Sequence, residues 1–208
     1  MSRTRGSSCF GKIVGSVALL CLAAGMAAAQ STYQVTYYSN PLGSTLDSTF
    51  HIVNPGTQVT EVDNNGKPLN GDLCADIYVY NNDEQVVECC GCRLTPDSET
   101  TLSLNTNLLA NPINPREVTT DGVIKIISTR PNSAGQCDPT GDTGPTTLAL
   151  AVQAWAAHIQ TNANNPETEE EFASARLSPF ELQYDQRLCS AIRTSGSRKG
   201  ICTCGYGD

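Results

Sequence analysis

Apolar and polar positions alternate with a period of two through much of this chain, the signature of strands half-buried on a sheet. The clearest case is Leu73 to Tyr80, where Leu73, Ala75, Ile77 and Val79 alternate with Cys74, Asp76, Tyr78 and Tyr80. Asn81-Asn82-Asp83-Glu84 then turns the chain and Gln85 to Cys90 returns, which predicts a hairpin. Tyr33, Val35 and Tyr37 share one face of a first strand over 31–39, and Phe50 and Ile52 point inward from a second over 48–53. Asn54-Pro55-Gly56 reads as a turn, because Pro fixes φ and Gly permits positive φ. Val59 and Val62 suggest a short edge segment, and Asp63-Asn64-Asn65-Gly66 another turn. Leu102 and Leu104 alternate with Thr101 and Ser103, and a β-branched run from Val123 to Ser128 adds a further strand.

Three stretches depart from that rhythm. Residues 132–145 are rich in Gly, Pro, Asn, Ser and Thr and read as a surface loop tied down by Cys137. Leu148 to Ile159 fits a helix face through Leu148, Val152, Trp155 and Ile159, and a strand through Leu148, Leu150, Val152 and Ala154; the strand-rich surroundings decide for a strand. Asn162 to Glu171 reads as a polar, acidic linker. A helix start follows: Ser178 caps, Pro179 takes the first helical position and Glu181 completes a capping box. Phe180, Tyr184, Leu188 and Ile192 line one face as far as Arg193, and Gly196 fits the stop. The expected fold is mainly β: an antiparallel, immunoglobulin-like β-sandwich over 30–161, with 162–208 supplying the acidic linker, a disulfide-tethered helix and a Cys-x-Cys tail.

The first 29 residues stand apart. Arg3, Arg5 and Lys12 precede an apolar run from Ile13 to Ala24, and Ala27-Ala28-Ala29 offers a cleavage site, which predicts a secretory signal peptide. That leader takes three of the 13 basic residues and no acidic one, leaving 10 Lys and Arg against 21 Asp and Glu, a formal −11. Nucleic acid and anionic lipid are poor partners for such a chain, because both need clustered cations. The expected location is secreted, extracellular or periplasmic.

Cys9 and Cys21 leave with the leader, and eight cysteines remain: Cys74, Cys89, Cys90, Cys92, Cys137, Cys189, Cys202 and Cys204. In an exported chain an even set reads as a disulfide framework, whose connectivity spacing does not decide. Cys89 and Cys90 point to opposite faces of an extended strand, so they serve different bridges. Cys189 near the helix end is expected to close a short loop with Cys202 or Cys204. Two alternatives use the same sulfur. Cys89, Cys90, Cys92, Cys202 and Cys204 as thiolates would suit zinc or cuprous ion, and Cys202-Thr203-Cys204, if exposed, would exchange disulfides.

Other chemistry is thin. Only two histidines exist, His51 and His158, and no Gly-x-Ser-x-Gly elbow is present. Glu167, Glu169, Glu170 and Glu171 lie in a polar run without apolar walls to raise a carboxylate pKa. Tyr33, Tyr37, Tyr38, Tyr78, Tyr80 and Trp155 could form an aromatic platform for sugars. No motif implies a cofactor.

Glu88-Cys89-Cys90-Gly91-Cys92-Arg93-Leu94-Thr95-Pro96, Ala154-Trp155-Ala156-Ala157-His158-Ile159-Gln160 and Gly200-Ile201-Cys202-Thr203-Cys204-Gly205 together resemble a group of uncharacterised secreted bacterial proteins. The resemblance spans most of the chain after the leader and implies one exported unit without an assigned activity. The Asn54-Pro55-Gly56 turn and the short strands also look like bacterial immunoglobulin-like surface domains, an analogy of fold alone. The resulting expectation is a secreted or surface-associated binding or structural protein, engaged in adhesion, matrix assembly or glycan binding. Its expected partners are a glycan or another surface protein.

Overall fold

In the computed structural model, which describes residues 31–39, 47–114, 120–159 and 167–205, the expected leader lies outside the described residues. Within them the chain forms β1 (Tyr33–Ser39), β2 (Thr49–Asn54), β3 (Leu73–Asn81), β4 (Val86–Leu94), β5 (Ser98–Ser103), β6 (Asp121–Thr129), β7 (Gln153–Ile159), β8 (Glu167–Glu171), β9 (Ala173–Ser174) and α1 (Pro179–Thr194). Two antiparallel sheets pack together: five strands in the order β4-β3-β6-β1-β9, and four in the order β5-β2-β7-β8. The expected mainly β, two-sheet architecture with one short helix is what the chain adopts.

All nine residues of β3 are buried, which requires cover on both faces of its sheet. Its odd-numbered residues Ala75, Ile77 and Val79 join Phe50, Ile52, Leu102, Ala154 and Ala156 of the second sheet in the main core. Its even-numbered residues Tyr78 and Tyr80 lie in a second cluster with Cys189 and Ile192 of α1. The helix therefore forms a third layer over the outer face of the five-stranded sheet. The same double cover sorts the residues of β1. Tyr33 and Val35 serve the helix-side cluster, Tyr37 is 46% exposed, and Tyr38 is the tyrosine sealed between the sheets.

Three other expectations change. Val59 to Val62 is not a strand but part of a loop stitched by a single Val62–Pro68 bridge. Residues 167–171 are not a linker: they pair with β7 as an edge strand, Trp155 opposite Glu171 and Ala157 opposite Glu169. Backbone ladder bonds do not depend on side-chain polarity, and charge on an edge strand discourages further pairing. The strand predicted from Leu148 begins at Gln153, with Leu148 and Leu150 exposed.

Helix α1 starts as its sequence dictates. The Ser178 side chain accepts from the Glu181 amide at 3.1 Å, and Gly196 follows the end with φ of 71°. Its rotation differs from the expected one. Phe180 and Tyr184 are 84% and 51% exposed, and the buried residues are Asp185, Cys189 and Ile192. A disulfide from Cys189 and an ion pair from Asp185 turn this face inward, overriding the apolar stripe.

Gly122 shows how tightly the middle of the five-stranded sheet is packed. A Cβ there would lie 1.9 Å from the Tyr80 carbonyl oxygen and 2.7 Å from the Tyr38 hydroxyl, which itself donates to that carbonyl. Gly122→Ala is expected to destabilise the protein by about 2–3 kcal/mol through overpacking. A thermal melt unchanged from wild type would refute this close approach.

Candidate functional site

Strand β4 carries sulfur on both faces. Cys89 faces outward and bonds Cys189 of α1, while Cys90 and Cys92 face the intersheet core and bond Cys202 and Cys204 of the tail. Cys74 on β3 bonds Cys137 and so ties down the 132–145 loop, as expected. Adjacent Cys89 and Cys90 do serve different bridges. The expected short loop from Cys189 to Cys202 or Cys204 does not form, because Cys189 sits on the sheet's outer side and the tail cysteines bond to its inner side. The tail runs parallel beside β4, joined by a Cys89–Ile201 bridge, with the Cys89 amide donating to Gly200 and the Cys202 amide donating back to Cys89. It thereby covers backbone at the β4 edge of the sheet.

The glycines of these cysteine motifs have steric causes. A Cβ on Gly91 would meet Cys137, Asp76 and Pro139 at 2.9–3.0 Å, so glycine lets the tethered loop lie on the sheet. Gly200 has φ of 77°, and a Cβ there would sit 2.6 Å from Ile192.

The sulfurs of Cys90, Cys92 and Cys204 lie within 4.8 Å of one another. This gathers three of the five sequence-predicted metal candidates, with Cys202 bonded to Cys90 beside them. Cys89 is directed away, to α1. As disulfides these sulfurs are not thiolates and offer no strong ligand to zinc or cuprous ion. Nor is Cys202-Thr203-Cys204 an exposed exchange pair: Cys202 is 4% exposed, and each cysteine is bonded to β4 rather than to the other.

Buried carboxylates flank this sulfur. Glu88 accepts from the Asn111 amide at 2.7 Å through Oε1, while Oε2 is buried without a hydrogen-bond partner. Burial raises its pKa to about 8. Asp76, beneath the tethered loop, accepts from Thr129 at 2.9 Å and has a buried, unpartnered Oδ1. Burial raises its pKa to about 7. In the loop above, burial of Asp138 is outweighed by bonds from Thr140 and Thr143, which hold its pKa at about 2. Asp138 thus organises the loop, and Asp142 accepts from Ser190 of α1 at 2.8 Å.

The outer face of the four-stranded sheet is different in kind. Register places Thr101, His51, Trp155 and Glu171 in one row across β5, β2, β7 and β8. His51 and Trp155 stack with centroids 5.5 Å apart and planes 8° from parallel. His51 Nδ1 lies 2.7 Å from Glu99 Oε1 and 3.2 Å from the Thr101 hydroxyl. The hydrogen bond from His51 lowers the Glu99 pKa. Of the aromatics proposed from sequence, Tyr33, Tyr38, Tyr78 and Tyr80 are buried, Tyr37 stacks on buried His158 at 4.3 Å, and Trp155 is half-buried on this outer face. Sequence reasoning missed His51, Glu99 and Thr101, because nothing but strand register brings them beside Trp155.

Three expectations follow. Non-reducing peptide mapping should recover Cys74–Cys137, Cys89–Cys189, Cys90–Cys202 and Cys92–Cys204, with no titratable thiol and no stoichiometric zinc. Replacing both Cys90 and Cys202 by Ser should cost about 2–5 kcal/mol. Stability should also rise as pH falls from above the Glu88 value of about 8, through the Asp76 value of about 7, towards the ordinary carboxylate range at about 4. Both folded pKa values exceed the unfolded ones, so their stabilisation is complete in acid and is lost as pH rises through the folded values. Denaturant midpoints across that window check the sign, and Glu88→Gln should flatten the slope.

No family model and no curated protein matches the chain. A solved structure, the crystal structure of Thermotoga maritima 1070, is similar with a TM-score of 0.40 and 11% identity, covering 71% of this chain and 97% of that one. A likeness of that degree carries no argument about this chain.

Proposed function

We propose that this protein is an exported or surface-associated binding module, and that it holds a saccharide on the outer face of its four-stranded sheet. The observation that carries the reading is the stacked Trp155–His51 pair with Glu99 and Thr101 beside it. A sugar ring offers apolar C–H faces to an aromatic side chain and hydroxyls to flanking carboxylate and threonine oxygens. An interface works through a few such aromatic anchors with polar groups that fix orientation. The residues reach this face from three different strands, β2, β5 and β7, so the platform is as rigid as the sheet.

Several features support export. Disulfides persist in oxidising compartments, and four bridges lock this chain. No helix among the described residues is long and apolar enough to cross a membrane. The basic-then-apolar leader adds to the reading. The strand order supports immunoglobulin-like character, since β2 and β5 pair in one sheet while β4, β3 and β6 pair in the other. Glu99, Glu169 and Glu171 are exposed, so the surface favours neutral or amino sugars over uronic acids.

A glycan array probed with the exported protein should show binding to neutral or amino-sugar polymers. Trp155→Ala should weaken that binding tenfold or more, as expected when an anchor worth about 1.4 kcal/mol or more is truncated, while leaving the four disulfides formed. Equal binding by the variant, or none by the wild type, would overturn the proposal.

A further inference from the structure

Beneath α1, a lysine, two carboxylates and a tyrosine converge where no ligand site has been assigned. Lys125 projects from the middle of β6, and its Nζ lies 2.5 Å from Glu181 Oε1 and 3.3 Å from Asp185 Oδ1. The Tyr80 hydroxyl donates to that same Asp185 oxygen, and the Lys125 ammonium sits 4.0 Å above the Tyr80 ring. Asp185 is fully buried, and its Oδ2 has no hydrogen-bond partner. Glu181 and Asp185 are one helical turn apart, so both face the lysine from α1.

We propose that this cluster is a self-modification site, at which Lys125 and Asp185 condense to an intramolecular amide that joins β6 to α1. The groups divide the work as amide formation requires. Glu181 takes a proton from the Lys125 ammonium and releases the nucleophilic amine. The amine adds to Cγ of Asp185 while the Tyr80 hydroxyl, already on Oδ1, stabilises the developing oxyanion. The unpartnered Oδ2 receives two protons, the one Glu181 took from the ammonium and a second that the nitrogen loses after addition, also relayed by Glu181, and leaves as water, so the amide nitrogen keeps one hydrogen. An ammonium and a carboxylate thus become one amide and one water, with Glu181 returned to its starting state and no oxidant, reductant or activating cofactor consumed.

Position supplies the driving conditions. Holding amine and carboxyl in contact gives effective molarities far above any solution concentration. Burial disfavours the charged carboxylate of Asp185 and raises its pKa, which favours the protonated, electrophilic form. Cys189 lies one turn beyond Asp185 on the same helix face, and its bridge to Cys89 holds α1 against the sheet in register with Lys125. The amide and the disulfide would then pin successive turns of the helix, and only the disulfide would be reducible.

Intact mass spectrometry of the exported protein, after full reduction and alkylation of its cysteines, tests this directly. The expected mass is that of the sequence less one water, and proteolysis should yield a branched peptide joining the Lys125 and Asp185 segments. Lys125→Arg keeps the charge and should restore the full mass. Glu181→Gln should leave the amide unformed in a protein that still forms the Cys89–Cys189 bridge and melts cooperatively. Full mass in the wild type, with Lys125 recovered in an unbranched peptide, would overturn the proposal and leave the cluster an ion pair. A branch to any other carboxylate, or an unimpaired link in Glu181→Gln, would overturn the roles assigned to Asp185 and Glu181.

Discussion

Sulfur on both faces of β4 is the constraint to which the later half of the chain answers. The outward Cys89 takes the helix and the inward Cys90 and Cys92 take the tail, at sequence separations of 100, 112 and 112 residues. A loop of that size is the kind whose closure most restricts an unfolded chain, about 4–5 kcal/mol for a single bridge in the chain-entropy account. The three loops interleave, each beginning inside the one before and ending beyond it, so their effects overlap. What they secure is location: α1 cannot leave the outer face, and residues 200–204 cannot leave the β4 edge.

That anchoring lets the molecule bury groups that an unlaced sheet would expose. Glu88 and Asp76 lie next to or beneath tethered segments with one oxygen each left unpartnered, and both are held towards their neutral forms. Asp185 is drawn under α1 because Cys189, one turn away, is bonded to the sheet. Burial of unpaired carboxylates is costly, and it is tolerable here because protonation or a nearby cation removes the charge. The acidic character of the rest of the chain stays outside, much of it along the β8 edge, where it costs little and discourages sheet-to-sheet pairing.

The two regions for which a role is proposed therefore differ in origin. The Trp155–His51 row lies on a solvent-facing sheet surface and depends on register alone. The Lys125–Asp185–Glu181 cluster lies at the interface between layers and depends on the docking of α1. The sulfur cluster that draws attention in the sequence is covalently occupied.

Much was legible from residue order. Two-residue alternation located β2, β3, β4, β6 and the hairpin, because a period of two is a local property of a half-buried strand. Ser178, Pro179 and Gly196 bounded the helix, since caps act through backbone groups within one turn. The opposite facing of Cys89 and Cys90 followed from strand geometry. Other features were not legible because they are relations between distant segments. An edge strand such as β8 needs no apolar residue to pair. The rotation of α1 was settled by a disulfide and an ion pair, not by Phe180 and Tyr184. Which sulfur meets which, and which side chains surround Trp155 and Lys125, depend on how layers stack and how strands register. Local sequence determined the elements and the faces of their side chains; tertiary structure decided the partners, because partnership here joins residues many tens of positions apart.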